Sequence, residues 1–171
     1  GLLVAVGMEV LAHDPFVTDP QVEGVTFVGF DELLRAADVV FPLAPGSAET
    51  ENLIGTTELA AMRRGALLIN VSRGELLDEA AVAEALRSGH LGGLGLDVGR
   101  AADQRPSPEL AALPGVVATP HLGGLTPENA DAQAASSVEQ VAAMVAGEIP
   151  PRSLNAERAT RLRALWNRTL R

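Results

Sequence analysis

The sequence predicts an α/β fold organised around a parallel, doubly wound sheet. Six short runs rich in Val, Leu and Ile recur along the 171 residues and are apolar almost throughout. That is the pattern of strands covered on both faces, not the alternation of half-exposed ones. Helical stretches with recognisable caps lie between the runs, and strands alternating with helices pair in parallel through crossovers. Residues capable of chemistry fall where the runs end, and the carboxyl ends of strands are where such sheets bind ligands.

In chain order, Met8–Ala12 reads as the first strand. Val25–Val28 is the next strand, and Asp31–Ala37 is a short helix before the strand Val39–Leu43. Thr56 is a candidate N-cap for a helix Thr57–Arg64, which stops before Gly65. Ala66–Val71 is a strand; Asp78 then caps a helix Glu79–Ser88 with Gly89 beyond its end. Ala81, Val82, Ala85 and Leu86 form the apolar stripe of that helix. The strands Leu94–Val98 and Val116–Thr119 follow. Thr126, Pro127 and Glu128 read as N-cap, N1 proline and first-turn acid of a long helix reaching Ala146, which Gly147 and Pro150–Pro151 stop. Asn155 caps a last helix with the stripe Ala159, Leu162, Leu165–Trp166 and Leu170.

Composition narrows the function. At 47 % apolar residues the chain can bury a sizeable core. It has no Cys, hence no disulfide, thiolate nucleophile or Cys-ligated metal. All 13 basic residues are Arg, which excludes a lysine Schiff base and a P-loop lysine. His13, His90 and His121 lie too far apart for metal-ligand spacing, so no metal is expected. No apolar run approaches the ~18 residues of a membrane span, and no signal peptide is visible, so a cytoplasmic location without membrane partners is expected. Residues 152–171 carry six Arg and one Glu, a net +5 against −14 for the rest of the −9 chain. This tail reads as a helix with a solvated Arg face. A nucleic-acid partner is not expected, because the acidic body argues against a basic binding face.

The strand ends hold the candidate site. Met8–Ala12 runs into His13-Asp14-Pro15. A carboxylate at that position in a dinucleotide-binding fold accepts from ribose hydroxyls and repels a 2′-phosphate. With no Arg following directly, Asp14 favours NAD over NADP, although Asp-Pro alone is an ordinary turn. Ala66–Val71 runs into Ser72-Arg73-Gly74, and an Arg there can fork onto a substrate carboxylate. Asp97, near the end of Leu94–Val98, can accept from a carboxamide. Val116–Thr119 ends in Pro120-His121-Leu122-Gly123-Gly124, where an imidazole titrating near neutral pH precedes glycines whose backbone can approach a ligand closely. Each residue alone has an ordinary structural reading; their order along the chain gives the set its weight.

That order resembles a known family. The run Leu68-Ile-Asn-Val-Ser-Arg-Gly-Glu-Leu-Leu-Asp-Glu-Ala-Ala-Val-Ala-Glu-Ala-Leu86 closely resembles the most characteristic stretch of the D-isomer-specific 2-hydroxyacid dehydrogenases. Gly93-Leu-Gly-Leu-Asp-Val98 and Thr119-Pro-His-Leu-Gly-Gly124 resemble the family's next two signatures. Pro45 to Gly55 resembles its loop after the preceding strand. The resemblance covers roughly residues 7–155 and implies a Rossmann-like fold, incomplete at its N-terminus. The family's Gly-x-Gly-x-x-Gly turn and its substrate domain are expected outside this sequence. The implied division is an NAD-binding domain over 1–151 and, over 152–171, a helix returning to the substrate domain.

By resemblance, the protein transfers a hydride between NAD(H) and a small 2-hydroxy or 2-keto acid of the glyoxylate, hydroxypyruvate or 3-phosphoglycerate type. Arg73 anchors the substrate, and His121 is the acid in reduction and the base in oxidation. Asp97 orients the nicotinamide, Asp14 holds the ribose, and Ala44, Pro45, Val71, Ser72, Arg73, His121 and Gly123 line the cofactor groove. The family usually places a Glu five residues beyond the position of Asp97; here Ala102 stands there, so Asp103 is the candidate carboxylate partner of His121. The resemblance also implies a homodimer paired through this domain. The alternative is a non-catalytic dinucleotide-sensing protein on the same fold; the presence of both Arg73 and His121 favours the enzyme.

Overall fold

A computed structural model of the chain describes residues 1–17, 22–154, 156–161, 164 and 166. All six apolar runs form strands, each shorter than its run: β1 (Val10–Ala12), β2 (Val25–Phe27), β3 (Val39–Val40), β4 (Leu67–Asn70), β5 (Gly93–Leu96) and β6 (Val116–Ala118). Every pairing is parallel. Among the described residues β1 and β2 pair with each other, while the other four form a second sheet in the order β3-β4-β5-β6. The hydrophobic run therefore locates each strand, but only part of it keeps ladder geometry.

The helices are α1 (Leu2–Ala5), α2 (Phe30–Ala36), α3 (Thr56–Ala61), α4 (Glu79–Arg87), α5 (Pro108–Ala111) and α6 (Pro127–Val145). Their ends follow from local chemistry. Asp78 Oδ1 accepts from the amides of Ala80 and Ala81 at 3.0 and 3.1 Å and so caps α4. Gly89, at φ +66°, carries the chain out of it. Thr126 Oγ1 accepts from Asn129 N at 3.2 Å at the start of α6. Thr56 is not a cap. Gly55 holds that position, and the Glu58 carboxylate reaches back to accept from Gly55 N at 3.0 Å, so Thr56 begins the helix. The acid at the third helical position satisfies the main-chain amide of the capping residue.

The chain divides into two compact units, residues 1–123 and 124–171. In the first, Leu68, Ile54, Leu77 and Val82 are fully buried at the centre of a core that also holds Leu34, Val40, Leu59, Met62, Leu94, Leu96 and Leu110. Helices α2 to α5 supply most of what covers β3–β6. Burial on both strand faces is most complete in β5; in β4 Leu67 is 40 % exposed, and in β6, at the sheet edge, Val117 is 73 % exposed. In the second unit, none of the 19 residues of α6 is buried. Trp166 Nε1 donates to Met144 O at 2.9 Å, and Ala156–Arg158 forms a 3₁₀ turn. The expected cap Asn155 and the stripe residues Leu162, Leu165 and Leu170 lie outside the described residues.

Glycine is obligatory where loops touch. A Cβ on Gly74 would collide with the backbone of Gly99, and one on Gly99 with Pro106 Cα and Arg105 O. These contacts press the loop after β5 against the loop after β4.

Candidate active site

Three adjacent strands, β4, β5 and β6, deliver Arg73, Asp97 and His121 from the same edge of one sheet. Parallel pairing makes this unavoidable, because all carboxyl ends then lie together. Asp14 follows β1 in the other sheet, and Ala44–Pro45 follow β3.

The Arg73 turn is built on Asn70, the polar last residue of β4 and fully buried. Asn70 Nδ2 donates to Arg73 O at 2.7 Å, and its Oδ1 accepts from Ser72 N at 3.1 Å. Ser72 Oγ donates to Ala44 O at 2.9 Å, joining this turn to the loop after β3. Arg73 itself is exposed, and its guanidinium donates to Ser72 O at 2.7 Å. Val71 is exposed beside it. The Pro45 carbonyl accepts from Thr50 Oγ1 at 2.6 Å.

Asp97 is the hub of the His121 loop. Its Oδ1 accepts from Thr119 Oγ1 at 2.5 Å and Leu122 N at 2.8 Å, and its Oδ2 from Gly123 N at 2.8 Å. Burial, the largest single effect, raises its pKa. The hydrogen bonds from Thr119, Leu122 and Gly123 outweigh it together with the charge of His121, and the net result lies below the usual 3.8. A Cβ on Gly123 would stand 2.9 Å from Asp97 Oδ2, so this approach needs glycine.

His121 sits between those donors at φ +60°. Asn52, Asp103 and Gln104 also have positive φ, at +55°, +58° and +57°. Of the five such non-glycine residues described, these four lie in loops at the carboxyl ends of the β3–β6 strands. Each costs on the order of 1 kcal/mol or more, and such strain concentrates at functional sites.

The expected contact between His121 and the Asp103 side chain is replaced by one to its main chain. His121 Nδ1 lies 3.0 Å from Asp103 O. The Asp103 side chain is 80 % exposed, with Oδ2 3.9 Å from Arg105 Nη2. The left-handed backbone at Asp103 turns the carbonyl toward the ring and the carboxylate outward. Asp14 Oδ1 accepts from Phe16 N at 2.9 Å in a tight turn, and the residue is exposed. His13 and His90 are engaged elsewhere, with ring nitrogens 3.1 Å from Val28 O and 2.8 Å from Leu59 O.

Sequence reasoning missed three residues. Asn70 carries a signal that could have found it, being the one polar residue within the apolar run Ala66–Val71. Arg100 and Glu79 gave no signal, because an Arg in a variable loop and a first-turn Glu are ordinary. Arg100 nevertheless donates to Leu77 O, Glu75 O, Asn52 Oδ1 and Glu51 Oε1, while its own amide donates to Glu79 Oε1.

Comparison with known proteins shows the family. The family model described as D-isomer specific 2-hydroxyacid dehydrogenase, NAD binding domain, matches residues 1–123. D-3-phosphoglycerate dehydrogenase of Mycobacterium leprae is 38 % identical over 157 residues, spanning 91 % of this chain and 30 % of that protein. Glycerate dehydrogenase of Methylorubrum extorquens is 38 % identical over 146 residues, 84 % of this chain and 45 % of that protein. Among solved structures, D-lactate dehydrogenase with NAD+ from Lactobacillus jensenii superposes with a TM-score of 0.78 at 34 % identity, covering 88 % of this chain and 49 % of that one. The chain thus spans a third to a half of the length of the proteins it resembles.

Proposed function

The chain belongs to the NAD-binding domain family of D-isomer specific 2-hydroxyacid dehydrogenases, and on that premise we propose that its parent protein interconverts a small 2-keto acid and the corresponding 2-hydroxy acid. The observation that carries this reading is the placement of Arg73 and His121 after the carboxyl ends of β4 and β6, the strands that flank the Asp97 strand β5. When bound, NADH supplies the hydride that the substrate's keto carbon accepts.

The donor and acceptor set suits that cofactor. Asp97 Oδ2 has a single protein donor, Gly123 N, and Asp14 Oδ2 has none among the described residues. These oxygens and the carbonyls of Ala44 and Pro45 suit the hydroxyl and carboxamide donors of NAD. No Arg lies in the described turn His13–Val17 to receive a 2′-phosphate, which supports NAD over NADP.

Arg73 has four guanidinium N–H groups beyond the one it spends on Ser72 O, enough to fork onto a carboxylate and reach the keto oxygen. His121 gives the keto oxygen a proton from Nε2 as that oxygen gains charge, and takes it back in oxidation. Its Nδ1 is held by the Asp103 carbonyl, which is the part Asp103 plays in the site. Nothing observed favours a non-catalytic sensing role.

The test is NADH consumption by the full-length protein with glyoxylate and with hydroxypyruvate. His121→Gln is expected to lower kcat by roughly a hundredfold or more. Retained turnover would remove His121 from the acid–base role.

A further inference from the structure

The loop Gly99–Arg105 is folded on itself. Gly99 N donates to Gln104 O at 2.9 Å and Ala101 N to Arg105 O at 3.0 Å, with Asp103 and Gln104 at the left-handed tip. A loop with two such residues in succession does not hold its shape by local preference. It is fastened at its base. Arg100 donates through Nε and Nη2 to Leu77 O, through Nη2 to Glu75 O and Asn52 Oδ1, and through Nη1 to Glu51 Oε1, at 2.6 to 3.2 Å. Glu79, in the first turn of α4, accepts from Arg100 N at 3.3 Å and from Ser107 Oγ at 2.6 Å, so it grips both flanks of the loop. Gly74 packs on Gly99 from below.

We infer that Arg100 and Glu79 are positioning residues for His121, holding the 99–105 loop so that the Asp103 carbonyl fixes the Nδ1–H tautomer of the ring. A carbonyl only accepts, so Nδ1 must carry the hydrogen in this contact. In the neutral ring that leaves Nε2 as the base, and in the charged ring as the site of the transferable proton. Nε2 has no protein partner among the described residues. A side-chain carboxylate is not needed to orient the ring here; a main-chain oxygen does it, provided the loop is clamped. The guanidinium suits the clamp because its planar fork reaches four acceptors on two neighbouring segments, residues 51–52 and 75–77, which a point ammonium does not.

This inference rests on the acid–base reading of His121, and the test separates the two. In full-length protein labelled with 15N, the His121 signals are identified by their loss in His121→Gln. At a pH where the ring is neutral they are expected to show the Nδ1–H tautomer. Arg100→Met and Glu79→Gln should each yield a mixed or Nε2–H tautomer. They should lower kcat for glyoxylate or hydroxypyruvate by on the order of tenfold to a hundredfold, with KM for NADH changed less than about twofold. Arg100→Lys should restore little of either. The folded state of each variant is checked by its unfolding midpoint in urea. An Nε2–H tautomer in the unaltered protein overturns the proposal. So does an unchanged tautomer and kcat in folded Arg100→Met and Glu79→Gln. Activity that survives His121→Gln overturns instead the acid–base reading beneath it.

Discussion

Arg73 meets solvent with an exposed guanidinium that spends one N–H on Ser72 O, while a buried Asn fixes its main-chain carbonyl. Arg73→Lys should therefore cost far more than its conserved charge suggests. The expected loss is about a hundredfold in kcat/KM, or about 3 kcal/mol, because an ammonium cannot fork onto a carboxylate; a loss under threefold in steady-state kinetics would take Arg73 out of the set. Asp97 gives a prediction about acid stability. Its folded pKa lies below 3.8, so the stability it contributes is present above that pH and is lost as pH falls through the folded value. Urea unfolding of the chain should weaken between pH 5 and 3, and the Asp97→Asn variant should show a smaller drop over that interval. Equal drops would mean that the Thr119, Leu122 and Gly123 bonds add nothing specific to the charged form. The positions of Arg73, Asp97 and His121 at strand ends, not their roles, were legible from sequence, because they lie at or just past the ends of apolar runs. The acceptor to which His121 turns was not, because residue identity says nothing about a carbonyl, and the left-handed turn at Asp103 follows from contacts with distant residues.

Every strand was legible as an apolar run, and the caps Asp78 and Thr126 as side chains able to accept from helix amides. Strand length was not, since the ladder extends only as far as both partners stay extended: β3 keeps two residues of a run of five. Full burial was not legible either, because comparably apolar runs lie inside the sheet in β4 and at its edge in β6. Asp78→Ala should destabilise the first unit by about 1 kcal/mol, measured in urea, since two amides of α4 lose their acceptor. Helix α6 presents Val138, Val141 and Val145 to solvent, and a stripe of this kind on a helix with no buried residue supports the proposed homodimer. Light scattering of the full-length protein should report a dimer at micromolar concentration, and Val138→Glu with Val141→Glu should shift it toward monomer. A monomer before substitution would end that proposal.

In the molecule as a whole, the proposed reading assigns the two binding tasks to different sheets. The ribose candidate Asp14 follows the β1–β2 pair, whereas Arg73, Asp97 and His121 follow the four-stranded sheet. Parallel pairing gives each sheet a carboxyl edge, and a ligand as long as a dinucleotide is suited to engage both. If the tasks are divided in this way, cofactor choice and keto-acid handling should separate under mutation. Asp14→Ala removes the charge that accepts from a ribose hydroxyl and repels a 2′-phosphate, so it should lower the NADH-to-NADPH ratio of kcat/KM. It should leave KM for hydroxypyruvate within about twofold. Arg73→Lys should do the converse, raising KM and lowering kcat for the keto acid while the cofactor ratio stays put. Sites that share no partner contribute additively to within roughly 0.5 kcal/mol, so the double variant should show the product of the two effects. Steady-state kinetics of the four proteins with both cofactors closes the cycle. A cofactor ratio unmoved by Asp14→Ala would reduce Asp14 to the turn residue that its contact with Phe16 N already makes it. A double variant far from the product would mean that the two sheets respond as one site.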